Sequence, residues 1–273
     1  MCSQAVNRSL VVNADDFGFT RDVNQGIIQA HVHGILTSTT LMATSGPQVK
    51  SPAFDDAVRL AKDHPSLDIG CHLVLVGEPP FPATVAKLIQ AIALKRIRVY
   101  DELAAQVRRI LDAGLQPSHL DTHKHTHLLP TVLDAVARIS EEFRIPWVRR
   151  PFDFPLQPGA IAWKRRAIIS AFGVVRKRSE RVLTRHHCRF TDHFAGFQLT
   201  GNYDASTLVE LIRSLPEGST EFMCHPGLCG DELRASRTRL KESREQELRA
   251  LTSPKVRAAL VEYNVRLAAF PQL

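Results

Sequence analysis

SLVVNADDFGFTRDVNQGIIQAHVHGILTSTTLMA, residues 9–43, holds two apolar runs separated by one helix-patterned run. SLVVNA is short and valine-rich, which suits a buried strand. A helix follows from about Asp22 to His33 and closes at Gly34, after which ILTSTTLMA supplies a second strand. The same βαβ rhythm continues. Ser51-Pro52 opens a helix whose Phe54, Ala57, Val58 and Ala61 share a face, and LDIGCHLVL is the next strand. Helical pieces near 83–95 and 100–113 precede the strand-like SHLDTH. Pro130 suits the first turn of another helix, and PWVRRP, STEFMCH and VRLAAF are later strand candidates. Repeated βα units over residues 1–273 predict an α/β chain folded as a single, distorted (β/α) barrel, with a doubly wound sheet as the alternative.

The 273 residues are 44% apolar, enough to bury a sizeable core. No apolar run approaches the roughly 18 residues of a membrane span. The N-terminus MCSQAVNRSLVVNADD lacks the basic-then-apolar order of a signal peptide, so a cytoplasmic location is expected. The cysteines (Cys2, Cys71, Cys188, Cys224 and Cys229) are odd in number and form no CxxC pair, which favours reduced thiols over a disulfide framework or zinc knuckle. The net charge of +7 is unevenly placed: between Lys164 and Arg189, nine Lys/Arg face the single acid Glu180. Ala167, Ile168, Ile169, Phe172, Val174 and Val175 interleave with them. The 164–189 segment is either a solvated barrel helix or a basic amphipathic surface for peripheral contact with the inner membrane. No zinc-finger spacing or aromatic RNA-binding motif accompanies the charge, so no nucleic-acid partner is expected.

Unusual polar residues recur at strand ends: Asp15-Asp16 after LVVNA, His72 within DIGCHLVL, His123 after SHLDT, Arg149 after PWV and His225 after TEFMC. In a barrel the carboxyl ends of the strands converge on one mouth. Adjacent carboxylates there can divide two tasks, one binding a cation and one taking a proton; the alternative is a turn cap. Two imidazoles and a carboxylate form a facial site for a divalent metal that leaves positions open for water and substrate. His72 by itself could be a satisfied core imidazole, given its apolar neighbours. In DTHKHTH, residues 121–127, an extended strand would put Asp121, His123, His125 and His127 on one face, too polar for ordinary core. A solvated histidine-rich loop is the alternative.

NADDFG, TSTTLM, GCHLVL, HLDTHKHTHLLP and MCHPG, in this order, resemble the YdjC-like carbohydrate deacetylases over nearly the whole chain. Within that family, HLVLVGEPP, HKHTHLLPTVLD and the segment from WVRRP to LPEG are most similar to the branch associated with hopanoid biosynthesis. The resemblance implies a metal-dependent hydrolase that removes acetyl from an N-acetylated sugar, on a barrel of the glycoside hydrolase/deacetylase type. It implies Asp16, His72 and His123 as metal ligands, Asp15 as catalytic base and His225 as general acid. Arg149 or its neighbour Arg150 would orient Asp15, and His125 and His127 would bind substrate or support the ligands. The implied cofactor is one divalent ion, magnesium by resemblance, while the donor set also suits zinc or another transition metal. The implied partner is an N-acetylated sugar or a glycolipid such as an N-acetylglucosaminyl hopanoid. MCHPGLCGDE departs from the chitooligosaccharide branch after His-Pro, so that branch's substrate is not carried over.

Two rivals share these residues. A metallophosphoesterase uses similar Asp/His clusters but usually holds two metals. A non-catalytic sugar- or lipid-binding protein on the same barrel has no use for both Asp15 and His225.

Overall fold

The computed structural model of the chain describes residues 8–43, 51–77, 79–154 and 163–273, with the side chains of 163–173 outside that description. The strands are β1 (Arg8–Phe17), β2 (Ser38–Leu41), β3 (Asp68–Leu73), β4 (His119–Thr122), β5 (Trp147–Val148), β6 (His193–Ala195), β7 (Gly218–Cys224) and β8 (Val265–Leu267). Their order is β5-β4-β3-β2-β1-β7-β6, with β8 beside β1, and every pairing is parallel. The first and last strands of the chain are therefore neighbours, as in a barrel and not in a doubly wound sheet. Between β5 and β6 the curl closes irregularly, through isolated bridges Trp147↔Arg189 and Asp153↔Phe194. The fold is a distorted (β/α) barrel.

The helices that follow the strands begin where local chemistry starts them. Thr20 caps α1 (Arg21–His33) and Ser51 caps α2 (Pro52–Asp63), each side chain accepting from a backbone N–H one turn on. The first turn of α5 (Pro130–Phe143) takes Pro130, whose missing N–H is harmless there. The remaining helices are α3 (Val85–Ala93), α4 (Val99–Asp112), α6 (Trp163–Arg185), α7 (Ala205–Arg213), α8 (Asp231–Ala235), α9 (Glu242–Leu251) and α10 (Pro254–Glu262).

Strand alternation divides the molecule into an apolar outer layer and a polar interior. Leu10, Val12 and Ala14 of β1, Ile69, Cys71 and Leu73 of β3, Leu120 of β4 and Phe222 of β7 pack in one core with helix residues such as Val23, Leu103 and Val136. The alternate residues Asn13, Asp15, Thr40, His72, His119, Asp121 and Glu221 are also buried, but they meet one another inside the barrel. Its floor is a small apolar cluster of Val11, Trp147, Ala268 and Phe270. His119 stacks on Phe270 with ring centroids 4.0 Å apart, and its Nε2 meets Asn13 Oδ1 at 3.3 Å.

Two expectations change. The strand SHLDTH stops at Thr122; His123–Leu128 form a 3-10 turn in which Lys124 and His125 take positive φ, 52° and 51°. His123, His125 and His127 therefore do not share a strand face with Asp121. The short strand β6 had no counterpart in the sequence pattern, since three residues are too few to show a period. In the 164–189 segment, Val174 is exposed and Arg176 pairs with Glu180, whereas Ala167, Ile168, Ile169 and Phe172 lie outside the described side chains. Among the described residues no helix is long and apolar enough to cross a membrane. Cys71, Cys188, Cys224 and Cys229 are free and buried; Cys2 lies outside the described residues.

Gly70 of β3 is glycine because a Cβ there would stand 2.5 Å from the His119 ring. Gly70→Ala must displace that ring from Phe270 and Asn13, and is expected to lower unfolding free energy by about 1–3 kcal/mol in urea titration. An unchanged midpoint would contradict this packing.

Candidate active site

Parallel pairing sets the site's register. His72 is opposite Asp121, and Ala14 is opposite Cys224, so Asp15 and His225 follow side by side at the carboxyl ends of β1 and β7. In a regular strand Asp15 and Asp16 would face opposite ways. Here the β1–β2 register shifts between Ala14 and Phe17, and Asp16 takes φ 70°, which brings both carboxylates to the mouth.

Asp16, His72 and His123 converge. Asp16 Oδ1 lies 3.4 Å from His72 Nε2 and 3.3 Å from His123 Nδ1, and the two nitrogens are 3.3 Å apart. Donors about 2.0–2.2 Å from one tetrahedral ion stand roughly 3.3–3.6 Å apart, so the triangle has the right size for a metal. Asp16 Oδ1 is buried without a hydrogen-bond partner, and the far nitrogen of His72 donates to Asp121 Oδ1 at 2.7 Å, leaving Nε2 free to coordinate. A second cluster, Asp15, His72 and Asp121, also brings its donor atoms within 4.8 Å of one another, but Arg149 and His72 already occupy its carboxylate oxygens.

Arg149 settles the choice between the two arginines. Its Nη1 and Nη2 donate to Asp15 Oδ2 and Oδ1 at 2.8 and 2.7 Å, Nε donates to Glu221 at 2.7 Å, and Nη1 also contacts Asp121. Arg150 turns outward to Glu180 and the Thr191 and Asp192 carbonyls. Burial pushes the Asp15 carboxyl up, but the charge and hydrogen bonds of Arg149, with His72 and His225 nearby, together outweigh it and hold the carboxyl below the usual range. Asp16 is likewise well below that range, since burial, which raises it, is outweighed by Arg244, donating to Oδ2 at 2.5 Å, together with His123 and His72.

Four carboxylates (Asp15, Asp16, Asp121, Glu221) face two guanidiniums (Arg149, Arg244), which leaves two negative charges when all are ionised. A proton is one answer to this surplus: against the effect of burial, Asp121 and Asp15 raise His72 to about 10. A divalent cation at the triangle is the other, and it would displace that proton.

His225 Nε2 sits 3.8 Å from Asp15 Oδ2, and its backbone N–H donates to Glu247 at 2.6 Å. Burial lowers its pKa, with Asp15 opposing. His127 is buried on Thr122, whose Oγ1 accepts its N–H at 3.0 Å and lies 2.6 Å from Nδ1; burial and Arg149 lower its pKa to about 3, so it is a neutral support for the turn. His125 lies against Phe194 and Phe197 beside the site.

Sequence reasoning left four of these groups out of the site. Asp121 and Glu221 carried a signal, an acid inside an otherwise strand-like run, and Thr40 carried only its place in TSTTLM. Arg244 carried none: LKESREQELRA reads as a solvated helix, yet Arg244 is 1% exposed.

A sequence profile of the family described as YdjC-like protein matches residues 9–262. A carbohydrate deacetylase of Brevibacillus brevis is 32% identical across 97% of this chain and 99% of its own. One from Geobacillus stearothermophilus is 33% identical across 96% and 97%. Among solved structures, an Enterococcus faecalis V583 protein provisionally named for cellobiose-phosphate cleavage superposes with a TM-score of 0.75 at 25% identity, over 97% of this chain and 98% of that one.

Arg244 fixes which oxygen of Asp16 faces the triangle. Arg244→Ala is expected to weaken Mn²⁺ or Zn²⁺ binding about 10–100-fold in calorimetric titration, with Arg244→Lys recovering part of the loss. Equal affinity in all three proteins would show that Asp16 orients without it.

Proposed function

The chain belongs to the YdjC-like protein family, and we propose that it is a metal-dependent hydrolase that removes acetyl from an N-acetylated sugar. The observation that carries the proposal is a buried carboxylate, Asp15, clamped through both oxygens by Arg149 beside the open donor triangle of Asp16, His72 and His123. The carbohydrate deacetylase names of full-length relatives support the substrate class.

Amide hydrolysis needs an activated water, charge for the tetrahedral oxyanion and a proton for the leaving amine. When bound by Asp16, His72 and His123, a divalent cation such as magnesium or zinc acidifies water and carries oxyanion charge, help that a base as weak as Asp15 requires. Asp15 is held ionised and oriented by Arg149 and takes the proton of the attacking water. His225 rests neutral because burial lowers its pKa, so it must gain a proton before it can give one to the amine nitrogen. Asp15 Oδ2, 3.8 Å from its Nε2, is the neighbouring proton carrier.

The phosphoesterase rival would need two cations, and among the described residues only the Asp16, His72, His123 set keeps its donor atoms open. A non-catalytic binding protein has no need for the Asp15–His225 pair. The motif resemblance extends the proposal to the N-acetylglucosaminyl head group of a hopanoid lipid, with the basic 164–189 segment as its contact to an anionic membrane surface.

Asp15→Asn is expected to keep the fold and the bound metal while acetate release from N-acetyl sugars falls by about 10²–10⁴. Metal content by elemental analysis, read beside the rate, separates loss of the base from loss of the cation. Undiminished turnover by Asp15→Asn would remove Asp15 from the chemistry.

A further inference from the structure

Phe197 is the one exposed Phe, Tyr or Trp among the described side chains, 49% accessible. It follows β6 at its carboxyl end, on the mouth side of the barrel. Its backbone is held firmly. The Phe197 and Gln198 N–H groups donate to the two oxygens of Asp153 at 3.1 and 2.8 Å, and the Leu199 and Thr200 N–H groups return to the Gly196 carbonyl at 3.2 and 2.9 Å. An apolar ring is thus presented to solvent on a fixed turn, where burying it would have been the favourable choice.

What it faces is chemically informative. The His125 ring lies 5.3 Å from Phe197, tilted by 46°, and 6.3 Å from Phe194. Phe194 in turn lies 5.7 Å from the guanidinium of Arg149, which clamps Asp15. His125 is two residues beyond the candidate ligand His123 and is held at φ 51°, a conformation that few side chains adopt freely. Its Nδ1 is buried with no hydrogen-bond partner. A chain of ring contacts therefore connects the base to an exposed phenyl group and an unsatisfied imidazole nitrogen.

A purely apolar ligand would ask for a contiguous patch of several hundred Å². Among the described side chains, the other exposed large apolar ones, Val32, Ile89, Leu94, Val174 and Val261, lie on or at the ends of α1, α3, α6 and α10, none on this turn. A single exposed ring bordered by Gln198, Asp153 and His125 instead matches a hexopyranose, which has C–H faces and a hydroxyl rim. Resting on the deacetylase reading, we infer that Phe197, backed by the His125 ring, forms a sugar subsite, with a pyranose ring of the substrate lying on Phe197.

The test uses the Asp15→Asn chain with its metal, titrated calorimetrically with N-acetylglucosamine and its β-1,4-linked disaccharide, with and without Phe197→Ala or Phe197→Trp. Phe197→Ala is expected to weaken binding of at least one sugar about tenfold, the worth of one aromatic contact, and Phe197→Trp to restore it. In the chain with Asp15 intact, kcat/KM should fall by a similar factor carried by KM. Unchanged affinity for both sugars in Phe197→Ala would overturn the subsite. So would a loss confined to an octyl-linked N-acetyl sugar, which would make the ring a seat for an apolar aglycone. If the parent chain released no acetate from any of these sugars, the deacetylase reading would fall, while the titrations would still judge the subsite.

Discussion

Arg149 is the buried cation on which the barrel interior depends. It is 2% exposed and joins carboxylates from three strands, Asp15 of β1, Asp121 of β4 and Glu221 of β7. It enters just after β5, at the edge where the sheet closes only through isolated bridges. Burying charge is unfavourable unless each group is paired and hydrogen-bonded, and removing one partner of such a set costs about 3–5 kcal/mol. One side chain thus supplies the closure of the barrel and the ionisation of its candidate base.

The same logic extends outward by one layer. Asp121, held by Arg149, orients His72, while Arg244 reaches in from α9 to orient Asp16. Each donor of the candidate metal triangle except His123 is therefore fixed by a partner from another element. His123 is placed instead by backbone geometry, the tight turn through Lys124 and His125. The apolar floor of Val11, Trp147 and Phe270 closes the interior below, so the polar groups open only toward the strand carboxyl ends.

The order of helices and strands was largely legible because it rests on near neighbours. The run from Ser9 to Ala43, the Ser51-Pro52 start and the Pro130 helix each declare themselves through period, cap and φ restriction, and all three appear close to their expected bounds. That polar residues gather at one mouth was legible for a related reason, whereas the choice of Asp16, His72 and His123 as candidate ligands came from the family resemblance. His72 and the Asp15-Asp16 pair are polar residues in or after apolar strands, and a barrel sends strand ends to one place.

Other features were decided only by the assembled chain. Whether Asp15 and Asp16 share a mouth depends on a register shift in β1–β2 and a positive φ at Asp16, and nothing in NADDFG distinguishes that from a regular strand. DTHKHTH looked like an alternating strand, yet the left-handed residues Lys124 and His125 turn it away. Arg149 and Arg150 are adjacent and chemically equal, and only the positions of Asp15, Asp121 and Glu221 make one the inward partner. Arg244 is bound to Asp16 across 228 residues of sequence. Local sequence sets dihedral preference and period, which act over a few residues. Pairing of buried charges depends on which groups share a low-dielectric space, and that space exists only once the strands have closed around it.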